Sequence, residues 1–275
     1  MEDVIENAQA MIAARLSRGS ALDLEGKRVD ARIEWEVALN AARATPYQVE
    51  FQTRIQLVRM LADSYLGTGE KEQAQSLLND EVAFASKIAE IMRAGGTPDQ
   101  SRSANGGLTL LRDRAAQVAL LGQDAPAIDI AEWVQGEPTT LTELRGRVTI
   151  LEFWATWCKP CRESFPKLRR IHEQYSGRGL EVVALTRFYM SLGGSVEARI
   201  QELDLIRSTL AEHRLDFRAG VMEDERPQAT YGANGLPTLV IIDRNGRVCW
   251  AGHSVEDIKL QAILEECLSA NGLAY

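Results

Sequence analysis

Basic charge, cysteine, histidine and long apolar runs are all scarce in this 275-residue chain, and each shortage excludes something. Lys and Arg number 31 against 39 Asp and Glu, a formal net charge of −8. Phosphate backbones are held by clustered Lys and Arg, so this balance argues against a nucleic-acid partner. No apolar run approaches the ~20 residues that a membrane-spanning helix needs. The acidic start, Met1-Glu2-Asp3-Val4, lacks the basic region and apolar core of a secretory signal. The expectation is a cytoplasmic protein, or an extracytoplasmic, periplasmic one if an export signal has been trimmed. Four cysteines in so long a chain do not make a secreted disulfide scaffold, which crowds many more into far fewer residues. Only Cys158 and Cys161 are close together, which points to chemistry at one place.

What is present divides in two. The apolar share, 45%, is that of an ordinary globular protein, and the length suffices for two separate cores. Residues 1–121 read as helix throughout, with apolar residues at three- and four-residue spacing. Val29 to Ala42 is one such stretch, with Ala31, Ile33, Trp35, Ala38 and Leu39 as the expected buried stripe. Others run from Phe51 to Leu66 and from Lys71 to Met92. Arg93-Ala94-Gly95-Gly96-Thr97-Pro98 breaks the pattern, and a last helix is expected from Leu108 to Leu121, ended by Gly122.

Tyr65, Gly69, Ala74 and Leu78 have the small-and-large spacing of a tetratricopeptide repeat, and Gly26, Ala31, Trp35 and Ala38 repeat much of it. The two copies lie further apart than the usual ~34-residue period. The half is therefore an all-α domain, either a helical bundle or TPR-like. As a functional module it would bind a partner or a second copy; otherwise it simply packs.

From Gly122 to the end, residues 122–275, the period changes. Ile128 to Trp133 alternates, Gly136-Glu137-Pro138 turns, and Val148 to Trp154 is a run of β-formers. A helix follows from Cys158 to Tyr175, then a strand from Leu180 to Arg187, a helix from Val196 to His213 and a short strand from Asp216 to Ala219. Strands Thr238 to Asp243 and Val248 to Ala251 flank Arg244-Asn245-Gly246, a strong hairpin turn, and a helix from Val255 to Ala270 closes the chain. This order gives an α/β fold, a mixed sheet with helices on both faces.

Phe153-Trp154-Ala155-Thr156-Trp157-Cys158-Lys159-Pro160-Cys161 is the most informative segment. A C-x-x-C that follows a strand and opens a helix is a thiol-redox arrangement. Cys158 would stand at the helix N-terminus, where unpaired N–H groups and the macrodipole favour a thiolate. Lys159 adds a positive charge beside it. Cys158 is thus the expected acidic and reachable nucleophile, and Cys161, one turn deeper, the resolving thiol. Pro160 fits the first turn, where its missing N–H costs nothing, and stiffens the dithiol. The alternative is half of a zinc site. Structural zinc wants four ligands, while Cys249, Cys267, His172, His213 and His253 form no second ligand pair, so no metal is expected.

Gly122-Gln123-Asp124-Ala125-Pro126, Leu141 to Val148, the Trp-Cys-Lys-Pro-Cys motif, Gly235-Leu236-Pro237-Thr238 and Ile242 to Gly246 together resemble the TlpA/ResA-like thioredoxin-fold proteins. The resemblance covers residues 122 to 272. It implies a thioredoxin fold with an N-terminal extension hairpin, no cofactor beyond a redox-active Cys158–Cys161 disulfide, and exchange with protein thiols and disulfides fed by an upstream electron donor. It also implies that Pro237 is a cis-proline facing the dithiol and that the Leu236 backbone receives an extended substrate segment. By the same pattern Trp157 lies near the surface beside the thiols.

Where many family members carry an acid three residues after the second Cys, this chain has Ser164, with Glu163 beside it. Glu152, six residues before Cys158, matches the buried Asp of thioredoxins. Buried there, its carboxyl would have a raised pKa and could take the proton of Cys161; the alternative is a solvent-facing strand residue. The loop Phe188 to Gly194 and Trp154 are each open to either substrate contact or packing, and Cys249 and Cys267 read as inert thiols.

The expected function is a thiol–disulfide oxidoreductase; the resemblance alone implies that this enzyme works as a protein-disulfide reductase, with oxidation or isomerisation of protein disulfides as the alternatives. A peroxiredoxin would want Pro-x-x-x-Thr-x-x-Cys, and Leu151 and Ala155 stand at those positions, with Thr156 one place off. A third reading is a partner-binding helical protein with a regulatory redox domain. Oligomeric state is left open.

Overall fold

The computed structural model describes residues 2–45, 49–191, 194–253 and 256–269. It divides into two compact units, Met1–Val118 and Ala119–Tyr275.

The first unit is all helical: α1 (Glu2–Leu24), α2 (Arg28–Ala44), α3 (Phe51–Gly67), α4 (Lys71–Gly95) and α5 (Pro98–Leu120), whose last two residues pass the boundary between the units. It contains two helix–turn–helix pairs built alike. Gly26 between α1 and α2 and Gly69 between α3 and α4 share φ +79°, a conformation that glycine adopts without steric cost. Each turn closes by the same bond, Lys27 N–H to the Leu22 carbonyl (2.9 Å) and Glu70 N–H to the Tyr65 carbonyl (2.8 Å). Ala31, Trp35 and Ala38 of α2 stand at the same offset from their turn as Ala74, Leu78 and Glu81 of α4, and all six are buried.

Two expectations fail here. Ile33 is 52% exposed, because it lies two positions from both Ala31 and Trp35 and so points away from the stripe they define. The last helix begins at Pro98, ten residues early. Pro98 starts it rather than breaking it: Thr97 and Gln100 form a reciprocal capping box, Thr97 N–H to Gln100 Oε1 (2.9 Å) and Gln100 N–H to Thr97 Oγ1 (3.2 Å). Gly107, in mid-helix, lets α5 approach α3, where a Cβ would collide with Ile55 and Phe51.

The second unit is a six-stranded mixed sheet in the order β1-β4-β3-β2-β5-β6. Its strands are β1 (Ile130–Gln135), β2 (Val148–Phe153), β3 (Leu180–Arg187), β4 (Arg218–Met222), β5 (Thr238–Ile242) and β6 (Val248–Gly252). Between them lie α6 (Lys159–Tyr175), α7 (Val196–Glu212) and α8 (Arg226–Thr230), and α9 (Asp257–Leu268) follows. The expected ends of that last helix, Val255 and Ala270, fall outside the described residues. β2, β3 and β4 run parallel, whereas β1, β5 and β6 are antiparallel to their neighbours. Central β2 is buried at every position, as a strand covered on both faces must be.

One face carries Val148, Ile150, Val182 and Ala184 under Phe165 and Leu168 of α6, Ile206 of α7 and Leu264 of α9. The other carries Leu151, Phe153, Val183 and Leu185. It is covered by Tyr231 at the end of α8 and by segment 120–144. The Tyr231 hydroxyl donates to the Pro126 carbonyl, and its ring meets Phe153 at 5.5 Å.

Three differences from the sequence reading stand out. The fourth strand lies at Arg218–Met222 rather than Asp216–Ala219, running through Gly220, where a Cβ would press on Ile130 of β1. The short helix α8 was not expected. The extension hairpin is absent: the extension instead clasps both edges of the sheet, with Gly122 to Ala125 bonded along β6 and the segment before it, and β1 paired with β4. A lone strand satisfies the β4 edge, so no hairpin is needed there. Among the described residues no helix is long and apolar enough to cross a membrane.

Candidate active site

β2 ends at Phe153, which pairs with Thr238, so the end of β2 and the start of β5 share one edge of the sheet. The chain leaves β2 through fully buried Trp154, whose ring abuts Phe165 edge-on at 5.3 Å; this tryptophan packs rather than contacts solvent. It turns at Ala155, whose carbonyl accepts the Cys158 N–H (3.0 Å), and enters α6. The Arg162 guanidinium holds the Thr156 carbonyl, fixing this turn from inside the helix.

Cys158 is the N-cap of α6, and its Sγ accepts the Cys161 N–H at 3.2 Å. The two sulfurs are joined in a disulfide, with Cα atoms 5.3 Å apart. Helix N-terminal N–H groups stabilise negative charge, so the sulfur released at this position on reduction sits where a thiolate is favoured. Cys158 is more covered than expected, exposing 3%, while Cys161 exposes nothing. Whatever access exists therefore runs through Cys158. Pro160 lies in the first turn, as its lack of an N–H predicts. The Lys159 ammonium is exposed and reaches along the helix toward Glu163 (3.7 Å), so its charge is shared with a neighbour and screened by water.

Leu236-Pro237 is a cis peptide at the same edge, and Leu236 packs against the core that holds both cysteines. The loop before β5 is ordered by Thr238, whose Oγ1 donates to the Gly235 carbonyl (2.6 Å) and contacts His253 Nδ1 (2.9 Å). Gly235 admits that imidazole, which a Cβ would meet at 2.8 Å.

Glu152 is fully buried and lies on the α6 face. Its Oε1 meets Ser164 Oγ at 3.3 Å, and its Oε2 has no hydrogen-bond partner among the described residues. Burial pushes this carboxyl well above its usual range, against the smaller opposing effect of the Ser164 hydrogen bond. The solvent-facing alternative is excluded. Ser164 Oγ also donates to the Cys161 carbonyl at 2.7 Å, so serine links the acid to the backbone of the second cysteine.

The loop after β3 divides its residues. Phe188 and Ser191 are buried, Met190 is exposed, and Tyr189 meets Trp157 edge-on at 5.4 Å. Trp157 itself is 59% exposed. Leu192 and Gly193 lie outside the described residues. Sequence reasoning missed what holds this loop. The buried Glu202 carboxylate accepts the N–H groups of Tyr189 (2.8 Å) and Ser191 (2.9 Å), that of Met190, and the Ser191 hydroxyl (2.6 Å). Burial alone would push Glu202 up; these hydrogen bonds outweigh it and hold the carboxyl below its usual value. Gln228 donates to the Tyr189 hydroxyl (2.8 Å) and accepts from Arg187 (2.7 Å), whose guanidinium covers the tyrosine ring at 4.4 Å. A single acid in an otherwise unremarkable helix gave no motif. Among the described residues no group of three His, Cys, Asp or Glu could hold a metal.

Residues 121–251 match the model of the AhpC/TSA family. The second unit has a thioredoxin-like fold. This thioredoxin-like unit is similar to the thiol-disulfide oxidoreductase ResA of Bacillus anthracis, 28% identical over 129 residues, covering 46% of this chain and 66% of the relative. The ResA of Geobacillus thermodenitrificans is 30% identical over 130 residues, with the same coverage. The chain thus spans a little under two thirds of these relatives' length. A solved structure of a thiol-disulfide isomerase from Corynebacterium glutamicum is similar to 54% of this chain and 98% of its own, at 24% identity and a TM-score of 0.47.

Proposed function

We propose that the protein is a thiol–disulfide oxidoreductase that reduces disulfides of protein substrates through Cys158 and Cys161. The observation that carries this reading is the disulfide at the N-terminus of α6, with its outer sulfur at the helix cap and its inner one enclosed. In the reduced protein the Cys158 thiolate attacks a substrate disulfide and forms a mixed disulfide. The Cys161 sulfur then attacks Cys158 and releases the substrate as a thiol. Two electrons pass from the dithiol to the substrate, and an upstream thiol donor restores them. The dithiol supplies the chemistry, with no added cofactor. Glu152 takes the Cys161 proton in the second step, and Pro237 and Leu236 receive the substrate backbone beside the Trp157–Tyr189 rim. The similar ResA proteins are thiol-disulfide oxidoreductases by name, which supports exchange chemistry at this pair.

Insulin reduction driven by a small dithiol tests it. The wild type should turn over, Cys161→Ser should accumulate a mixed disulfide at Cys158, and Cys158→Ser should do neither. A reductase should also have a dithiol potential nearer thioredoxin's, about −270 mV, than the about −120 mV of a strong oxidant. Consumption of hydrogen peroxide faster than of insulin would sink the proposal.

A further inference from the structure

The other two cysteines, 18 residues apart, meet in space. Cys249 on edge strand β6 and Cys267 on α9 have their sulfurs 2.8 Å apart, closer than two unbonded sulfurs pack. A disulfide bond measures about 2.03–2.05 Å, so less than 1 Å of closure separates this pair from one. Cys267 is enclosed, whereas Cys249 is only half-buried, so Cys249 is the less enclosed of the two residues. Zinc does not explain the pair, because no third His, Cys, Asp or Glu among the described residues completes a metal cluster.

We propose that Cys249 and Cys267 form a second dithiol–disulfide couple, oxidised by low-molecular-weight disulfides, that fastens edge strand β6 to α9. The Cys249 sulfur attacks such a disulfide, forming a mixed disulfide and releasing one small thiol. The Cys267 sulfur then attacks Cys249 and expels the second small thiol. Two cysteine thiols are oxidised to one bond, and one small disulfide is reduced to two thiols, which carry away both protons. The hydrogen bond with Cys267 and then burial push the Cys249 thiol up, and its Sγ also donates to the Ile241 carbonyl at 3.3 Å. Little thiolate is present at neutral pH, so the couple responds to sustained oxidation rather than to brief exposure. Its closure does not depend on Cys158 or Cys161.

The test uses the full-length chain with Cys158→Ser and Cys161→Ser together, incubated in graded mixtures of reduced and oxidised glutathione, then quenched and alkylated. Peptide mass mapping should find Cys249 joined to Cys267, reversibly with dithiothreitol. The melting temperature should rise by about 5–10 °C when the link forms. Adding Cys267→Ser should trap glutathione on Cys249 and abolish the rise. The same peptides mapped in the wild type read the link even if the double variant folds poorly. Two alkylated thiols at every ratio that oxidises Cys158–Cys161 in the wild type would overturn the proposal, as would links formed only between molecules.

Discussion

One buried carboxyl, linked through Ser164 to the backbone of Cys161, gives this site a pH dependence. Glu152 has a folded-state pKa well above its unfolded value of about 4.3, because burial penalises the anion. Below that unfolded value both states hold the proton and the residue costs nothing. As pH rises, the unfolded chain ionises first, so stability falls until the folded carboxyl also ionises, by at most about 1.4 kcal/mol per pH unit. Glu152→Gln should flatten this descent: thermal unfolding between pH 5 and 8 should fall more steeply in the wild type than in the variant. Parallel curves would show that the folded carboxyl is already charged. The same substitution should slow release of reduced substrate roughly 10²-fold while leaving mixed-disulfide formation unchanged, as single-turnover kinetics can separate. The position was legible in sequence because it stands six residues before Cys158 on a strand. That Ser164 completes the link to Cys161 was not, since only packing brings α6 over β2.

Among the elements, the loop after β3 depends on α7. Glu202 collects three backbone N–H groups and a hydroxyl from residues 189–191, and Tyr189 in turn supports Trp157. Glu202→Gln keeps the shape but loses a charge-assisted acceptor, and should cost about 1–3 kcal/mol of stability in denaturant titration. Because the folded pKa is depressed, that contribution is present above the unfolded value of about 4.3 and is lost as pH falls through the folded one. With a protein disulfide as substrate, KM should rise several-fold, while reduction of a small disulfide such as cystine should be unaffected. Equal losses on both substrates would mean that Glu202 supports the dithiol rather than the rim. Start and stop signals were read unevenly. The Asn245-Gly246 hairpin was plain, since Gly246 takes φ +84° and Asp243 Oδ1 accepts the N–H groups of Asn245 and Arg247 at 2.9 Å each. Pro98 misled, because a proline that ends one helix and a proline that begins the next look alike until Gln100 is paired with Thr97.

At the scale of the molecule, the buried apolar residues fall into clusters that respect the two units. The helical cluster runs from Ile12 to Val118, and both clusters of the sheet unit lie within residues 120–268. A unit with its own core should fold alone. Residues 119–275, expressed without the helices, should unfold in one cooperative calorimetric transition and keep a Cys158–Cys161 potential within about 30 mV of the full chain's, a difference of about 1.4 kcal/mol. A broad, non-cooperative transition would show that the helical unit is needed for the fold.

The sequence by itself determined the helical first half, the strand-and-helix alternation of the second, and the placing of Cys158 and Cys161 at a helix start. Those features depend on periodicity and on neighbours a few residues apart, which the chain displays directly. Tertiary structure alone decided that Ile33 faces outward, that the extension clasps two sheet edges, that Glu202 cages a loop, and that Cys249 and Cys267 meet. Each of these depends on which surfaces come together, and contacts between distant segments leave no local pattern to read.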